Sequence, residues 1–326
     1  MRFTNATLHR LLVLVVGLFS LVTLASATEN GASIWPVGAE SVAMATAVPR
    51  TGQTRVYEYT CFYEANEIDD AHGKKVPIPD FKLRVFANAV KLSHNWGVKF
   101  LGGEIDSWVA VPYVYQQLHV PGGKFTNNAI GNVNIVPFSV LNHKGDFHWY
   151  YELQFEAAGS AYVKDAAVNI GQHNVALTPA FGVTYAPHHG EQEISSRFDY
   201  VINSADHATH YHSGNEFVWQ FDARQEIPKT KMSLGLVGYY YKQTTNDTQN
   251  GAAVVTTNAD GTTSMGYKGR VLDLGPQITF PFGKKGGIAI KWDHDMLVQN
   301  KTRGNSVWFQ FSIPFSYMHH PAQQAR

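Results

Sequence analysis

Charged side chains recur at every second position in several stretches of the sequence. Arg197 and Asp199, for example, alternate with Phe198 and Tyr200. In an extended strand such alternation places the charges on one face and the aromatic rings on the other. A face of mixed charge around a lumen can bind and select a passing solute. The candidate substrate-binding residues are Glu152, Arg197, Asp222, Arg224, Lys291 and Asp293.

The same charges have a second interpretation, in which they pair across adjacent strands and fill a narrow lumen. The chain carries 26 basic and 26 acidic residues, for a formal net charge of +0. This balance favours pairing, and it gives no reason to expect a nucleic-acid partner. Both interpretations can hold together. Further residues predicted on the lumen face are Glu58, Lys82, Arg84, Glu156 and Asp199.

Metal binding and catalysis find little support in the sequence. His207, His210 and His212 have a spacing that could bind Zn, Cu or Ni, but they lie in a predicted surface loop without a nearby Cys. The chain has no Gly-x-Ser-x-Gly motif. Asp293, His294 and Asp295 cannot form a triad within one strand, because neighbouring side chains point to opposite faces. We therefore predict no metal, no cofactor, no catalytic residue and no enzymatic activity.

The stretch Ser306–Phe315 shows most clearly which element positions the charges. Its residues Val307, Phe309, Phe311 and Ile313 share one face with Phe315. In a lipid bilayer such an apolar face is covered by lipid, and closure of the sheet leaves no unpaired edge. The alternation returns often enough to predict an all-β fold, an antiparallel transmembrane β-barrel of about 12 strands. Short and long connections alternate, as expected for periplasmic turns and extracellular loops.

The first predicted strands have a less distinctive pattern. Arg55–Glu64 places Tyr57, Tyr59, Cys61 and Tyr63 on one apolar face. Its other face carries Glu58, and we assign that face to the lumen. The fourth predicted strand is Ile130–Leu141, and the longest predicted loop is Thr244–Tyr267.

The N-terminus predicts export. Basic Arg2 and Arg10, the apolar run Leu11–Leu24 and the small residues Ala25-Ser26-Ala27 indicate a signal peptide over residues 1–27. Residues 28–53 lack periodicity and are interpreted as an irregular segment folded into the lumen as a plug. The barrel is predicted over residues 54–317, with a C-terminal tail at 318–326. This organisation predicts a location in the bacterial outer membrane.

Several short motifs resemble those of a family of proteobacterial outer-membrane proteins. The family is named for the meta-pathway of phenol degradation and is also called SphA-like. The matching stretches are Gly31–Gly38, Ala47–Gly52, Ala129–Pro137 (with Asn132 where Asp is more usual), Leu272–Gln277 and Trp308–Phe311. The resemblance implies a channel for small hydrophobic or aromatic compounds, and it supplies no catalytic residues.

The final strand also resembles the C-terminal signal of bacterial outer-membrane barrels. This implies recognition by the barrel-assembly machinery through Phe309, Phe311 and Phe315, although Ser316–Arg326 follow the last Phe. The other expected partners are outer-membrane lipid, lipopolysaccharide and a small hydrophobic or aromatic solute. Two alternatives to a channel stay open, namely a surface protein that works through its loops and a barrel enzyme.

Overall fold

A computed structural model describes residues 33–42, 48–158, 162–164, 166–283 and 286–315. The predicted signal peptide 1–27 and the predicted tail 318–326 lie outside the described residues. No helix in the described part of the chain is both long enough and apolar enough to cross a membrane. The described chain consists mostly of β-strands.

One large antiparallel sheet dominates the structure. Its strands are β1 (Thr54–Asp69), β2 (Lys82–Phe100), β3 (Gly103–Val120), β4 (Gly123–Ile130), β5 (Val133–Lys144), β6 (Phe147–Ala157), β7 (Ala176–Tyr185), β8 (Gln192–Asn203), β10 (Glu216–Glu226), β11 (Ser233–Gln243), β16 (Arg270–Phe282), β17 (Gly286–Gln299) and β18 (Lys301–Phe315). Short loop strands are β9 (Tyr211–His212), β12 (Thr248–Gln249), β13 (Ala252–Ala253), β14 (Val255–Thr257) and β15 (Thr263–Met265).

The sheet closes on itself because β1 pairs with both β2 and β18. β3 is long enough to pair with two shorter strands, with β5 along its first half and with β4 along its second half. β4 and β5 therefore lie end to end as one barrel strand. The result is a closed antiparallel barrel of 12 strands, which confirms the predicted fold class.

The break between β4 and β5 was not predicted. The predicted strand Ile130–Leu141 covers most of β5 but misses β4. The break falls opposite Pro112, which has no N–H group to donate to a neighbouring strand. The Pro112 carbonyl instead accepts a hydrogen bond of 2.8 Å from the amide of Gly131. The change of partner along β3 thus keeps that carbonyl satisfied.

The two rims of the barrel differ. The turn rim carries Thr54 and Phe315, the two ends of the barrel chain, and short connections such as 101–102 and 145–146. The loop rim carries the long connections 70–81, 158–175, 204–215 and 244–269. In bacterial barrels tight turns face the periplasm and long loops face outward. The loop rim is therefore the extracellular end.

Large apolar side chains cover the outside of the wall. Exposed examples, one from each of ten strands, are Phe62, Leu92, Val109, Tyr151, Ile194, Trp219, Leu236, Leu274, Trp292 and Phe309. Polar side chains such as Gln154, Arg197 and Gln220 are at most 1% exposed and point inward. A polar interior with an apolar exterior matches a barrel surrounded by lipid.

β1 and β2 correct the predicted orientation of their faces. Cys61 is buried on the inner face, and Phe62 is exposed on the outer face. Glu58 consequently lies outside, where its carboxylate accepts hydrogen bonds from Thr60 and Asn88. The prediction that Glu58 faces the lumen was wrong.

Lys82 and Arg84 also lie on the outer face of β2 rather than in the lumen. Both form ion pairs with Glu64 near the loop rim, at 2.9 and 2.7 Å. Small apolar residues of β2, including Ala87 and Ala89, take the inner positions. This arrangement follows from what lies opposite, because the N-terminal segment presents apolar side chains to this part of the wall.

The long loop 244–269 is tied to its neighbours through buried Asp247. Its carboxylate accepts hydrogen bonds from the Gly214 amide and the Gln243 side chain, both at 2.6 Å, and from the Tyr211 hydroxyl at 2.5 Å. β9 and β12 pair directly beside this contact. Burial raises the pKa of Asp247 from 3.8 to about 7, although these hydrogen bonds act in the opposite direction.

This loop anchor should weaken as the pH rises. A carboxyl group whose folded pKa is raised binds more protons in the folded state, so its contribution to stability falls as the pH passes from about 4 to about 7. We expect hydrogen exchange at the Gly214 amide, corrected for the intrinsic rate, to be faster at pH 8 than at pH 5. Asp247→Asn should remove most of this pH dependence. Equal protection of the Gly214 amide from hydrogen exchange at both pH values in the unmodified chain would contradict this prediction.

Candidate functional site: a lumen divided into two chambers

Residues 33–42 of the N-terminal segment lie inside the barrel. Ile34 and Trp35 are buried there, in an apolar cluster on the inner face of the wall. The wall residues of this cluster are Ala176, Val201, Val218, Tyr241, Val271 and Val298. Burial of an aromatic and a branched side chain against this wall stabilises the inserted segment.

Lys291 anchors the middle of the segment. Its ammonium group donates to the Gly38 carbonyl and to the Ser41 hydroxyl, both at 2.6 Å. It also forms an ion pair of 3.1 Å with Asp293 on the same strand. The ammonium group is therefore held by two hydrogen bonds to the segment and one ion pair to the wall. From the neighbouring strand β18, the Gln310 side chain donates to the Ala39 carbonyl at 2.9 Å.

Arg197 is the centre of a second buried network. One of its terminal nitrogens contacts Glu152 at 2.7 Å and Asp199 at 2.8 Å, and the other donates to the Tyr150 hydroxyl at 3.0 Å. The guanidinium carbon lies 4.9 Å from the centre of the Trp35 ring, a cation–π contact. Arg197 on β8 thus links β6 to the inserted segment.

Glu40 connects the segment to the opposite wall. Its carboxylate pairs with Lys91 at 3.0 and 3.1 Å and accepts a hydrogen bond from the Tyr59 hydroxyl at 3.1 Å. The Lys91 ammonium lies 4.1 Å from the ring centre of Trp108, whose indole N–H donates to Glu152 at 3.0 Å. These contacts close the lumen across its width.

A cavity of about 330 Å³ lies between the segment and the wall formed by β1, β2 and β3. We call it the apolar chamber. The segment contributes Trp35 and Val37, and Ile170 from the connection 158–175 reaches it from the loop side. The wall contributes small and aromatic side chains, namely Tyr59, Cys61, Tyr63, Val85, Ala87, Ala89, Ala110, Pro112, Val114, Tyr239 and Trp308.

A second cavity of about 390 Å³ extends toward the turn rim. We call it the polar vestibule. Charges of both signs line it, namely Arg55, Lys91, Arg197, Arg224 and Lys231 with Glu40, Asp106, Glu152 and Glu226. Glu40, Tyr59 and Trp108 border both cavities and so mark the boundary between them.

The six sequence-predicted substrate-binding residues all face the lumen, but the structure does not bring them into one site. Glu152, Arg197 and Arg224 line the polar vestibule. Arg224 pairs with Glu193 at 2.5 Å and lies 3.9 Å from Asp222. The remaining two, Lys291 and Asp293, pair with each other beside the inserted segment. The pairing interpretation therefore describes their contacts, and their role toward a solute stays a prediction.

The residues of the apolar chamber were missed by the sequence analysis. Tyr59, Cys61 and Tyr63 were recognised as one face of a strand, but that face was placed away from the lumen. The signal that could have found them is the run of Ala and Val at alternate positions of β2, Val85 to Ala89, since such small residues cover lipid poorly. Trp35 and Asp273 lie in two of the stretches that carry the family resemblance, and Asp273 alternates with Leu272 and Leu274, but neither pattern points to a chamber.

The three His residues considered for metal binding do not form a metal centre. His212 contacts the Asn203 carbonyl at 2.9 Å through its Nε2 atom. Within the described residues, no group of three or more His, Cys, Asp or Glu side chains could hold a metal ion.

A closed antiparallel barrel with an apolar exterior and a polar interior is an outer-membrane β-barrel. The protein is therefore located in the bacterial outer membrane. The COG4313 outer membrane channel from Pseudomonas putida F1 has a similar fold, with a TM-score of 0.68 at 13% identity over 82% of this chain and 96% of that one. The NanC porin is more distant, with a TM-score of 0.43 at 9% identity over 79% of this chain and 98% of the porin. A search of curated proteins finds no match.

The family model described as "Putative MetA-pathway of phenol degradation" matches residues 65–311. This match spans well over half of the chain, so the protein belongs to that family. The sequence-based resemblance is thereby confirmed.

Lys291→Met should loosen the inserted segment. The change removes both hydrogen bonds to Gly38 and Ser41 and leaves Asp293 as a buried carboxylate without a cation, which costs about 3–5 kcal/mol. We expect the free energy of unfolding in lipid to fall by about that amount. The single-channel conductance of the mature protein should rise.

The double variant Lys291→Met, Asp293→Leu separates the two effects. It should recover much of the stability, because no unpaired charge remains, while the conductance stays high. Lys82→Met is the matched control, because this lysine lies on the outer face of β2 in an ion pair with Glu64 and should change stability by less than about 1 kcal/mol. An unaltered conductance in both Lys291 variants would show that these contacts do not hold the segment.

Proposed function

We propose that the protein is an outer-membrane channel for small hydrophobic compounds, in particular aromatic ones, that serves their uptake for degradation. The observation that carries this proposal is the apolar chamber. Its volume of about 330 Å³ is at the lower end of the range of small-molecule pockets, about 300–1,000 Å³. Aromatic rings and small aliphatic groups line it, so a substituted benzene would bury most of its surface there.

We propose that the solute enters at the loop rim, where a buried apolar cluster adjoins the chamber. Buried side chains from the ends of β1 and β3 and from the connections 70–81 and 158–175 form one cluster there, which consists of Ile68, Phe81, Leu118, Val120 and Val168. Ile170 packs against this cluster and also lines the chamber. A hydrophobic solute could pass through this cluster without crossing a charged surface.

The proposed exit has a polar lining instead of an apolar one. Below the boundary of Glu40, Tyr59 and Trp108, the polar vestibule opens toward the turn rim. A solute that leaves the chamber would have to displace the contact between Glu40 and Lys91, or move with the inserted segment. We infer that residues 28–53, of which 33–42 and 48–53 are described, act as the plug that controls this step.

The exterior of the barrel fits the partners expected from the sequence. We infer that lipid and lipopolysaccharide cover the apolar outer face. Phe309 and Phe315 are 43% and 53% exposed on that face, and Phe311 shares their side of β18. We propose that the barrel-assembly machinery recognises these three residues before β18 pairs with β1.

Cys61 makes the proposal testable, because it is the single cysteine of the chain and lines the apolar chamber. The mature protein in lipid would be treated with methyl methanethiosulfonate, a small neutral thiol reagent. We expect toluene and phenol to slow modification of Cys61 in a saturable manner. The same compounds should reduce the single-channel current in planar bilayers.

Ala89→Phe and Val90→Phe form a matched pair of variants. Ala89 lines the chamber, whereas its neighbour Val90 is 48% exposed on the outer face. Ala89→Phe should fill the chamber and abolish both solute effects, and Val90→Phe should leave them intact. If no aromatic compound protects Cys61 or alters the current, the channel proposal fails. A surface protein working through its loops or a barrel enzyme would then be the better interpretation.

A further inference from the structure

Asp273 places a carboxyl group in the wall of the apolar chamber. The residue is only 2% exposed, and its Oδ1 atom has no hydrogen-bond partner among the described residues. Most of the surrounding lining is aromatic or aliphatic. A carboxyl oxygen buried in such surroundings without a donor is energetically unfavourable.

Neighbouring groups do not supply that donor. Lys291 is the nearby cation, but its ammonium group donates to Gly38 and Ser41 and forms its ion pair with Asp293. Asp295, which faces Asp273 across the β16–β17 pair, is itself an acid. It accepts hydrogen bonds from the Gly304 amide at 2.8 Å and from the hydroxyls of Tyr63 and Tyr239 at 3.2 and 3.3 Å.

We propose that Asp273 is the hydrogen-bond acceptor for the solute, so that the chamber prefers small aromatic compounds carrying a neutral O–H or N–H donor. This inference rests on the proposed channel function and names its substrate class. The ring of the solute would lie among Trp35, Tyr239 and Trp308 while its donor reaches the carboxyl group. Phenols and anilines share this chemistry.

The same geometry disfavours two other kinds of aromatic compound. A hydrocarbon such as toluene fits the apolar lining but leaves Asp273 without a donor. A carboxylate such as benzoate would bring a negative charge into a group of three acids, Asp273, Asp293 and Asp295. The Asn132 side chain also lines the chamber with an amide nitrogen that has no partner within the described residues, but a single neutral donor offsets only part of that repulsion.

The test compares four monosubstituted benzenes, namely phenol, aniline, toluene and benzoate, as competitors of Cys61 modification. It uses the mature protein in lipid. We expect phenol and aniline to give half-maximal protection at concentrations about fivefold below that of toluene, as one hydrogen bond implies. Benzoate should be the weakest competitor.

Asp273→Leu should abolish the advantage of phenol and aniline over toluene, without weakening protection by toluene itself. Asp273→Asn keeps an oxygen acceptor of the same shape and should retain part of the advantage. This second variant allows the test to be made even if Asp273→Leu fails to fold. The control is Glu156→Gln, which changes a buried inward-facing acid that borders neither chamber and should leave the ratio unaltered.

The outcomes separate the two proposals. Equal protection by phenol and toluene in the unmodified protein, or a full phenol advantage in Asp273→Leu, would overturn the role of Asp273 while leaving the channel intact. Protection by none of the four compounds would overturn both proposals.

Discussion

Three cations of the barrel wall hold the N-terminal segment across the lumen, and the interior depends on these contacts. Lys91, Arg197 and Lys291 reach it from three different sides. Each also pairs with an acid, because a charge enclosed by a lipid-embedded wall needs a partner inside the barrel. The segment supplies one of those acids, Glu40, together with backbone and hydroxyl acceptors. The charged and hydrogen-bonding groups of the wall and of the segment therefore partner one another, and neither part would be well packed alone.

This mutual dependence also explains why the lumen has two kinds of lining. The segment is apolar from Ile34 to Val37, and it turns polar at Glu40 and Ser41. Where its apolar part faces the wall, β1 to β3 carry small and aromatic side chains. Where its polar part faces the wall, the charged networks of the vestibule begin. The change of polarity along a few residues of one segment thus sets the boundary between the chambers.

Sequence patterns predicted the barrel well where the two faces of a strand differ strongly. On β8, β10 and β17 charged or amide residues alternate with large aromatic or branched ones, so the inner face is unambiguous. On β1, both faces combine apolar and polar groups, Tyr59 and Cys61 on one side and Phe62 with Glu58 on the other. Periodicity separates such faces but cannot tell which is inside. That choice depends on the segment 33–42, whose contacts reach from nearby Tyr59 to Lys291 near the other end of the chain.

In the candidate site, too, some features could be predicted from the sequence and others could not. Pairing of charges such as Arg197 with Glu152 could be anticipated, because mixed charge on one face of a closed barrel has few other partners. The apolar chamber could not be predicted from the sequence, because its shape arises only when the inserted segment occupies part of the lumen. Asp273 stands out against this background. Glu152 and Asp293 also have carboxyl oxygens without a hydrogen bond among the described residues, but each pairs with a cation, whereas Asp273 has no ion pair there. Such exceptions to pairing are expected at functional positions, and this one lies where the lining is most apolar.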